Sequence, residues 1–157
     1  MLLPLIDDFE VARNLSRVPH PYTQSHAQEF VAMAAQQRRD GSGYHFAVTR
    51  NADDAFLGVC GLSCNVGTPE LGYWLGKRFW GRGYATEAAR ALVDFAFDRL
   101  DAVRLMAGWY HDNPASGNVL AKLGCQPSGV EQRDCLARGH AVYCHMVSLE
   151  RSDRPRS

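Results

Sequence analysis

The strongest constraint in this sequence is the stretch at residues 70–100, which predicts a strand, a glycine-rich turn and a helix in succession. Residues 71–75 are apolar and aromatic, as is typical of a buried strand. Gly81 and Gly83 lie so close together that the turn favours an open backbone over either regular element. The helix is predicted from one apolar stripe, formed by Ala85, Ala88, Ala89, Leu92, Val93, Ala96 and Leu100. Free N–H groups at the start of this helix predict an anion site of the kind that binds a pyrophosphate.

The motif Arg78-x-x-Gly81-x-Gly83 resembles the (Gln/Arg)-x-x-Gly-x-(Gly/Ala) signature for acetyl-coenzyme A in the GCN5-related N-acetyltransferases, the GNAT superfamily. The wider runs 72–75 and 80–88 resemble its RimJ/RimL-type branch, which acetylates the N-termini of ribosomal proteins. The resemblance covers about residues 11–150 and is sharpest over 70–124. It implies an α/β (α+β) GNAT fold, in which a mixed, mostly antiparallel central sheet of about six or seven strands has helices on both faces. It also implies a splayed central strand pair, with a V-shaped opening beside residues 70–75.

The N-terminal segment departs from the pattern of this family, whose members commonly begin with a strand. Residues 1–6 are apolar, and residues 7–13 follow at once as a helix start with acidic residues in its first turn. We therefore expect the family's first strand to be shortened, replaced or lost. Such a change would alter the sheet edge and part of the acceptor pocket.

The remaining elements are predicted from periodicity, prolines and turn residues. In order, they are a loop at 14–22, a helix capped by Thr23 and running to about residue 38, strands at 44–49 and 56–63 around a turn at 51–54, a turn at 65–69, the central strand and helix, a strand at 103–110, a short helix at 115–123 stopped by Gly124, and a strand pair at 130–134 and 141–149 around the turn 137–140. Together they predict one domain over residues 1–151. A polar tail at 152–157 carries no packing signal.

Composition argues against several classes of function. The 157-residue chain has 17 basic and 17 acidic residues, so we expect neither nucleic acid nor an anionic membrane as a partner. The apolar start at 1–6 is too short for a signal peptide or a membrane span. Five cysteines without a Cys-x-x-Cys pair, and histidines without ligand spacing, favour free thiols and no metal site. These features predict a soluble cytoplasmic protein, either a monomer or a homodimer.

The resemblance assigns acetyl-CoA, as a co-substrate, to the central strand, the glycine turn and the segment 113–125. That segment is similar to the family's Asn-x-x-Ser-x-x-(Val/Leu)-x-x-Lys-Leu-Gly-Phe run, with Cys125 in place of the usual Phe and Asn118 where Arg is common. Central-strand backbone groups would pair with the pantetheine amides, and two arginines would contact phosphate. A solvated basic turn is the alternative for those arginines. The coenzyme-binding residues implied are Trp74, Leu75, Gly76, Arg78, Gly81, Arg82, Gly83, Tyr84, Ala85, Thr86, Asn113 and Ser116.

Attack of an amine on a thioester needs a group that removes the amine proton and a group that protonates the departing thiolate. The resemblance implies that Glu70 is the catalytic carboxylate, acting directly or through water; a surface carboxylate after a proline turn is the alternative. It implies that Ser116 is the catalytic acid near the thiol, and Ser116 would also suit the cap of the short helix. His20 and Tyr22 lie in a loop implied to border the acceptor. Together with Glu70, they are the predicted substrate-binding residues. The alternative for His20 and Tyr22 is that their side chains simply pack within the loop.

The predicted activity is transfer of the acetyl group of acetyl-CoA to a primary amine by direct attack in a ternary complex. The acceptor is a protein N-terminal α-amine, as the RimJ/RimL-type branch suggests, or a small molecule such as an antibiotic or metabolite. The short N-terminus leaves open a regulatory module that binds acetyl-CoA without turnover. A Rossmann domain is disfavoured because the glycine turn follows antiparallel-type strands, and no acidic residue closes a βαβ unit.

Overall fold

The computed structural model describes residues 1–65 and 67–155 of the chain. Its helices are α1 (Leu3–Ile6), α2 (Phe9–Ala12), α3 (Gln24–Asp40), α4 (Tyr84–Arg99) and α5 (Pro114–Lys122). Its strands are β1 (Gly43–Thr49), β2 (Phe56–Ser63), β3 (Glu70–Leu75), β4 (Arg104–Tyr110), β5 (Gln126–Cys135) and β6 (His140–Glu150). Single 3-10 turns lie at Lys77–Phe79 and Arg151–Asp153. Val66 in the predicted turn 65–69, and residues 156–157 of the predicted tail, lie outside the described residues.

The described strands form one six-stranded sheet in the order β1-β2-β3-β4-β6-β5. Neighbours are antiparallel except β3 and β4, which run parallel and share the register pair Glu70–Met106. The N–H of Met106 donates to the carbonyl of Pro69 at the start of this pairing. Beyond Glu70 the two strands separate, so the middle of the sheet opens toward the C-terminal end of β3. The predicted mixed, mostly antiparallel sheet with a splayed central pair is confirmed.

Two one-turn helices occupy the N-terminal segment where the family pattern expected a strand. Asp8 caps α2 by accepting the backbone N–H of Glu10, an interaction that favours a helix start over a strand. Ile6 and Val11 are almost fully buried in a cluster that includes Tyr22 and the edge of Trp74. Hydrophobic burial therefore fixes this helical segment on the sheet face to which Trp74 points, and the first strand is replaced rather than shortened.

Helix α3 begins at the predicted cap and ends two residues beyond the predicted end. Thr23 accepts the N–H of His26, and the His26 ring in turn bonds the N–H of Thr23, which completes a reciprocal cap. Asp40 is the last helical residue before the glycine turn that leads into β1. The helix packs along β1, where Arg38 lies over the ring of Tyr44. These contacts cover the outer strand of the sheet.

Helix α4 supplies the main core on the opposite face of the sheet. Its buried residues repeat with the helical period, and Phe97 and Ala96 are fully enclosed. They pack against Leu62 of β2, Leu105 of β4 and Leu120 of α5, among others. The core therefore joins both halves of the split sheet through one helix. This arrangement holds the start of α4 at the open end of β3.

The first part of the predicted tail packs on the domain, which differs from the sequence expectation. Arg154 bonds Asp98 at 2.9 Å and lies over the ring of Phe97. Gly124 sits close beside Pro155, because a Cβ on Gly124 would be 3.1 Å from that ring. The sequence did not predict this packing because the tail has no apolar pattern. The contacts are made by the guanidinium of Arg154 and the ring of Pro155. Within residues 1–65 and 67–155, none of the helices has the length and apolar character that crossing a bilayer requires.

Candidate active site

A cavity of about 560 Å³ lies beside the splayed part of β3. It reaches from the turn before α4, along β3 and α5, to Val11 and residues 14–16. The predicted site residues on its wall are Glu70, Trp74, Leu75, Gly81, Arg82, Gly83, Tyr84, Ala85, Thr86, Asn113 and Ser116. One continuous space therefore joins the predicted anion site to the segment predicted to border the acceptor.

The anion end is built by the glycine turn. Gly81 and Gly83 have φ values of +71° and +82°, and a Cβ added to either would meet no described atom within 4 Å. Gly83 is the N-cap of α4, and no side chain in the described structure caps that end. The first N–H groups of α4 are thus left to a ligand, and Arg82 on the wall adds positive charge. The residues fit a phosphate-bearing coenzyme.

Four of the predicted residues stand outside the cavity lining as far as the structure describes it. Arg78 places its guanidinium over the ring of Phe79, 4.8 Å from the centroid. Gly76 is buried, and a Cβ there would be 2.8 Å from the side chain of Leu5. Both positions therefore serve local packing in this structure.

The other two are His20 and Tyr22, which were predicted to bind the acceptor. Tyr22 is 8% exposed within the N-terminal cluster, and its backbone N–H donates to Asp7 at 2.8 Å. His20 lies 3.4 Å from the same carboxylate and against the ring of Phe9. The structure does not bring either side chain to the described cavity wall, because the cluster around Ile6 holds Tyr22 and the contacts with Asp7 and Phe9 hold His20. These positions agree with the alternative in which both side chains pack within the N-terminal segment.

The register between β2 and β3 decides which backbone groups face the gap. Gly76 donates its N–H to Leu57 of β2, and the register pairs Trp74 with Val59. In an antiparallel pair, every second residue of a strand hydrogen-bonds the neighbouring strand through its backbone. The backbone groups of Trp74 and Gly76 therefore face β2, while those of Tyr73 and Leu75 face the gap between β3 and β4. The expectation that Trp74 and Gly76 offer backbone groups to the pantetheine is therefore corrected. The carbonyl of Leu75 accepts the indole N–H of Trp80 at 2.9 Å, which leaves its N–H toward the cavity.

Glu70 forms a two-pronged ion pair with Arg133 of β5. One guanidinium nitrogen bonds Glu70 Oε1, a second lies 3.3 Å from Oε2, and the Nε–H donates to Glu131 at 3.2 Å. These carboxylates raise the pKa of Arg133 further above its usual range, first through the hydrogen bonds that Arg133 donates to Glu70. Two carboxylates share one guanidinium; Glu70 and Arg133 line the cavity, whereas Glu131 lies outside its described lining.

Ser116 presents its hydroxyl to Tyr73 rather than to the helix end. The N-cap of α5 is Asn113, and its side chain makes no capping bond, so Asn113 faces the cavity free of that role. The Ser116 Oγ lies 2.9 Å from the Tyr73 hydroxyl, which is also 3.2 Å from the Ser116 carbonyl oxygen. Ser116 therefore does not cap α5. Burial raises the pKa of Tyr73 to about 12.

Comparison with known proteins identifies the family. A family model described as an acetyltransferase (GNAT) domain matches residues 2–126, which is most of the chain. The chain belongs to the GNAT acetyltransferase family. It is 30% identical to the N-acetyltransferase p20 of Bacillus licheniformis over 133 residues, covering 82% of this chain and 75% of p20. It is 28% identical to the ribosomal protein uS5-alanine N-acetyltransferase of Escherichia coli over 107 residues, 65% of this chain and 55% of that enzyme.

A solved structure with the same fold is Mycobacterium smegmatis RimJ in complex with CoA-disulfide. The TM-score is 0.85 at 21% identity, and the match covers 99% of this chain and 77% of that chain. At this identity the likeness concerns the fold. The protein is thus an N-acetyltransferase by family, with the six-stranded GNAT sheet seen above.

Two residues of this site, Tyr73 and Arg133, were not predicted from the sequence. Tyr73 lies on the cavity wall with its hydroxyl at Ser116, and strand alternation from Leu71 and Leu75 would have put it on the α4 face. Arg133 reaches Glu70 from a position 63 residues away in the chain. No local signal in β5 marks that contact, because it depends on how the two halves of the sheet curve toward each other.

Proposed function

We propose that this acetyltransferase transfers the acetyl group of acetyl-CoA to a protein N-terminal α-amine, by direct attack in a ternary complex. The observation that carries the proposal is the continuous cavity. It has a glycine turn and an uncapped helix at one end, and an ionic cluster at the other. The splayed strand between them has unused backbone donors. This layout suits a long anionic thioester that meets an amine at its far end.

The coenzyme half of the proposal rests on the anion end. The pyrophosphate would accept hydrogen bonds from the N–H groups of Tyr84, Ala85 and Thr86, with Arg82 beside it. The pantetheine would run along β3 from the glycine turn and bond the gap-facing N–H of Leu75 first. The N–H of Tyr73, which lies nearer Glu70, is then the donor available to the thioester oxygen, where negative charge develops during attack.

The acceptor half of the proposal rests on Glu70. Arg133 fixes the orientation of this carboxylate, yet each carboxylate oxygen has a second lone pair for a water or an ammonium group. A carboxylate on the cavity wall would accept a charge-assisted hydrogen bond from an ammonium group. A free α-amine has a pKa of about 8 and a lysine side chain about 10.4, so the α-amine gives up its proton more easily near neutral pH. We infer that Glu70 takes this proton through a water.

The kind of acceptor is inferred from a named relative and from the shape of the cavity end. The E. coli relative acts, by its name, on an alanine of a ribosomal protein. The acceptor end is bordered by residues 14–16, where Ser16 donates to the carbonyl of Asp134 at 2.9 Å and accepts the N–H of Leu136. A peptide N-terminus would enter over this segment, which its hydrogen bonds to the end of β5 hold in place. A small cationic amine is the second candidate, because the same Glu70 carboxylate lines the cavity end.

The test is release of coenzyme A thiol from acetyl-CoA by the purified chain. Acceptors are peptides that begin with alanine or serine, the same peptides with a blocked N-terminus, and a panel of small primary amines. We expect release with free peptides, none with blocked peptides, and an acetyl group located on the α-nitrogen by mass spectrometry. Release with small amines alone would support the second candidate. Tight acetyl-CoA binding without release by any amine would refute an enzymatic function.

A further inference from the structure

The hydroxyl of Ser116 has a partner that the coenzyme chemistry described so far does not use. Tyr73 projects from β3 into the cavity, and its hydroxyl lies 2.9 Å from Ser116 Oγ and 3.2 Å from the Ser116 carbonyl oxygen. Tyr73 belongs to the strand that separates from β4, whereas Ser116 belongs to α5. The contact therefore links the two sides of the gap.

The three oxygens of this contact share two protons, which allows two arrangements. In the first, Tyr73 donates to the carbonyl and Ser116 donates to the phenol oxygen, so the serine proton is hidden. In the second, Tyr73 donates to Ser116 Oγ, and the serine proton is free to turn into the cavity. The 2.9 Å contact is the shorter of the two and is common to both arrangements. A hydrogen-bond acceptor in the cavity, such as the coenzyme sulfur, decides between the two arrangements.

We propose that Tyr73 is a positioning residue that turns the Ser116 hydroxyl proton toward the departing coenzyme A sulfur. The inference rests on the proposed function and deepens it. When the C–N bond forms and the C–S bond breaks, the sulfur leaves with the electron pair. It accepts a hydrogen bond from the Ser116 hydroxyl, which keeps its proton, while Tyr73 donates to Ser116 Oγ. The proton lost from the nitrogen leaves through Glu70 and water, and water protonates the released thiolate, so the reaction balances without a further reactant.

Tyr73 is suited to be a permanent donor. It is enclosed by core residues that include Leu71, and burial raises the pKa of its phenol to about 12, so it stays protonated at any working pH. It therefore does not compete as a base for the amine proton. Its hydrogen bond polarises the serine hydroxyl and strengthens the bond from Ser116 to a thiolate.

The test uses the thiol of bound coenzyme A, whose titration is followed by the ultraviolet absorbance of the thiolate. A donor at the sulfur stabilises the thiolate and lowers the pKa of the thiol. We compare wild type, Tyr73→Phe, Ser116→Ala and the double variant, with Tyr44→Phe as the matched control. Tyr44 is also a partly buried strand tyrosine, but it packs on Phe95 away from the cavity. Melting temperatures exclude unfolded variants.

We expect Tyr73→Phe and Ser116→Ala each to raise the bound thiol pKa and to lower kcat about 3- to 10-fold, the scale of one hydrogen bond. The KM for acetyl-CoA should change less than kcat, because the hydrogen bond to sulfur strengthens as the thiolate forms. The double variant should match Ser116→Ala, because Tyr73 acts through that hydroxyl. Tyr44→Phe should match wild type.

An unchanged thiol pKa in folded Tyr73→Phe would overturn the inference, and so would losses that add in the double variant. The thiol titration does not depend on the acceptor amine. If wild type binds coenzyme A but acetylates no amine, the proposed function fails while the thiol titration still decides the role of Tyr73. If the chain binds no coenzyme A, both fail.

Discussion

Gly83→Asp is expected to abolish acetyl-CoA binding while the protein remains folded. Gly83 has φ +82° at the start of α4, with open space where a side chain would stand. The left-handed conformation costs an L residue about 1–2 kcal/mol. For a chain of this size that cost lowers the melting temperature by roughly 2–8 °C. Against a total stability of roughly 5–15 kcal/mol, the variant stays folded.

The loss of affinity arises from charge as well as from occupied space. A carboxylate at position 83 would lie roughly 5 Å from a pyrophosphate of charge about −2, and at an effective dielectric constant of about 40 the repulsion is roughly 3 kcal/mol. This corresponds to a loss of affinity of about 100-fold or more. Gly83→Asn has nearly the same shape without the charge. The difference between the two variants isolates the electrostatic part, which should shrink at high ionic strength.

Gly139→Asp is the matched control for this experiment. Gly139 has φ +73°, meets nothing within 4 Å of an added Cβ, and lies in the turn between β5 and β6 outside the described cavity lining. It should show a similar loss of melting temperature and wild-type affinity for acetyl-CoA in calorimetric titration. A folded Gly83→Asp protein that binds acetyl-CoA as tightly as wild type would refute the phosphate-cradle reasoning.

Three further predictions concern the acceptor end, the ionic network and the core. Glu70→Gln should lower turnover about 10²- to 10⁴-fold with unchanged coenzyme affinity, and the loss should shrink as pH rises because a neutral amine needs no base; full activity at every pH would make the carboxylate structural. Asp112→Asn should lower the free energy of unfolding by about 0.5–1.5 kcal/mol, because Asp112 bonds both Arg138 and Arg13 at the solvent-screened surface. Since the hydrogen bond from Arg138 holds the pKa of Asp112 below its usual range, this difference should be complete above about pH 5 and fade as wild type is acidified below about pH 4, as urea titrations over pH would reveal; a difference independent of pH would contradict the ion-pair explanation. Phe97→Ala should cost about 3–5 kcal/mol in urea unfolding because the ring is fully enclosed, and a cost below about 1 kcal/mol would mean that the core collapses around the gap.

The sequence alone determined the features that depend on near neighbours in the chain. The turn at Gly81 and Gly83 and the apolar stripe of α4 are written within one stretch, and the cap at Thr23 needs only the residues after it. Such signals are local, because a glycine permits a left-handed backbone and a hydroxyl caps a helix in any fold. The family resemblance carried by that stretch predicted the sheet type, which the structure has, and it predicts the coenzyme end of the cavity. It also correctly indicated that the N-terminal strand is altered.

Only the tertiary structure decided which groups meet across the gap. The register of β2 against β3 turned the backbone of Tyr73 and Leu75 toward the cavity, and a shift of one residue would have exposed Trp74 instead. Burial in the N-terminal cluster withdrew Tyr22 from the acceptor side. The pairing of Glu70 with Arg133 joins residues 63 positions apart, through strands from the two halves of the sheet. Contacts of this kind depend on how the sheet curves and packs as a whole, and no periodicity or motif in either segment encodes them.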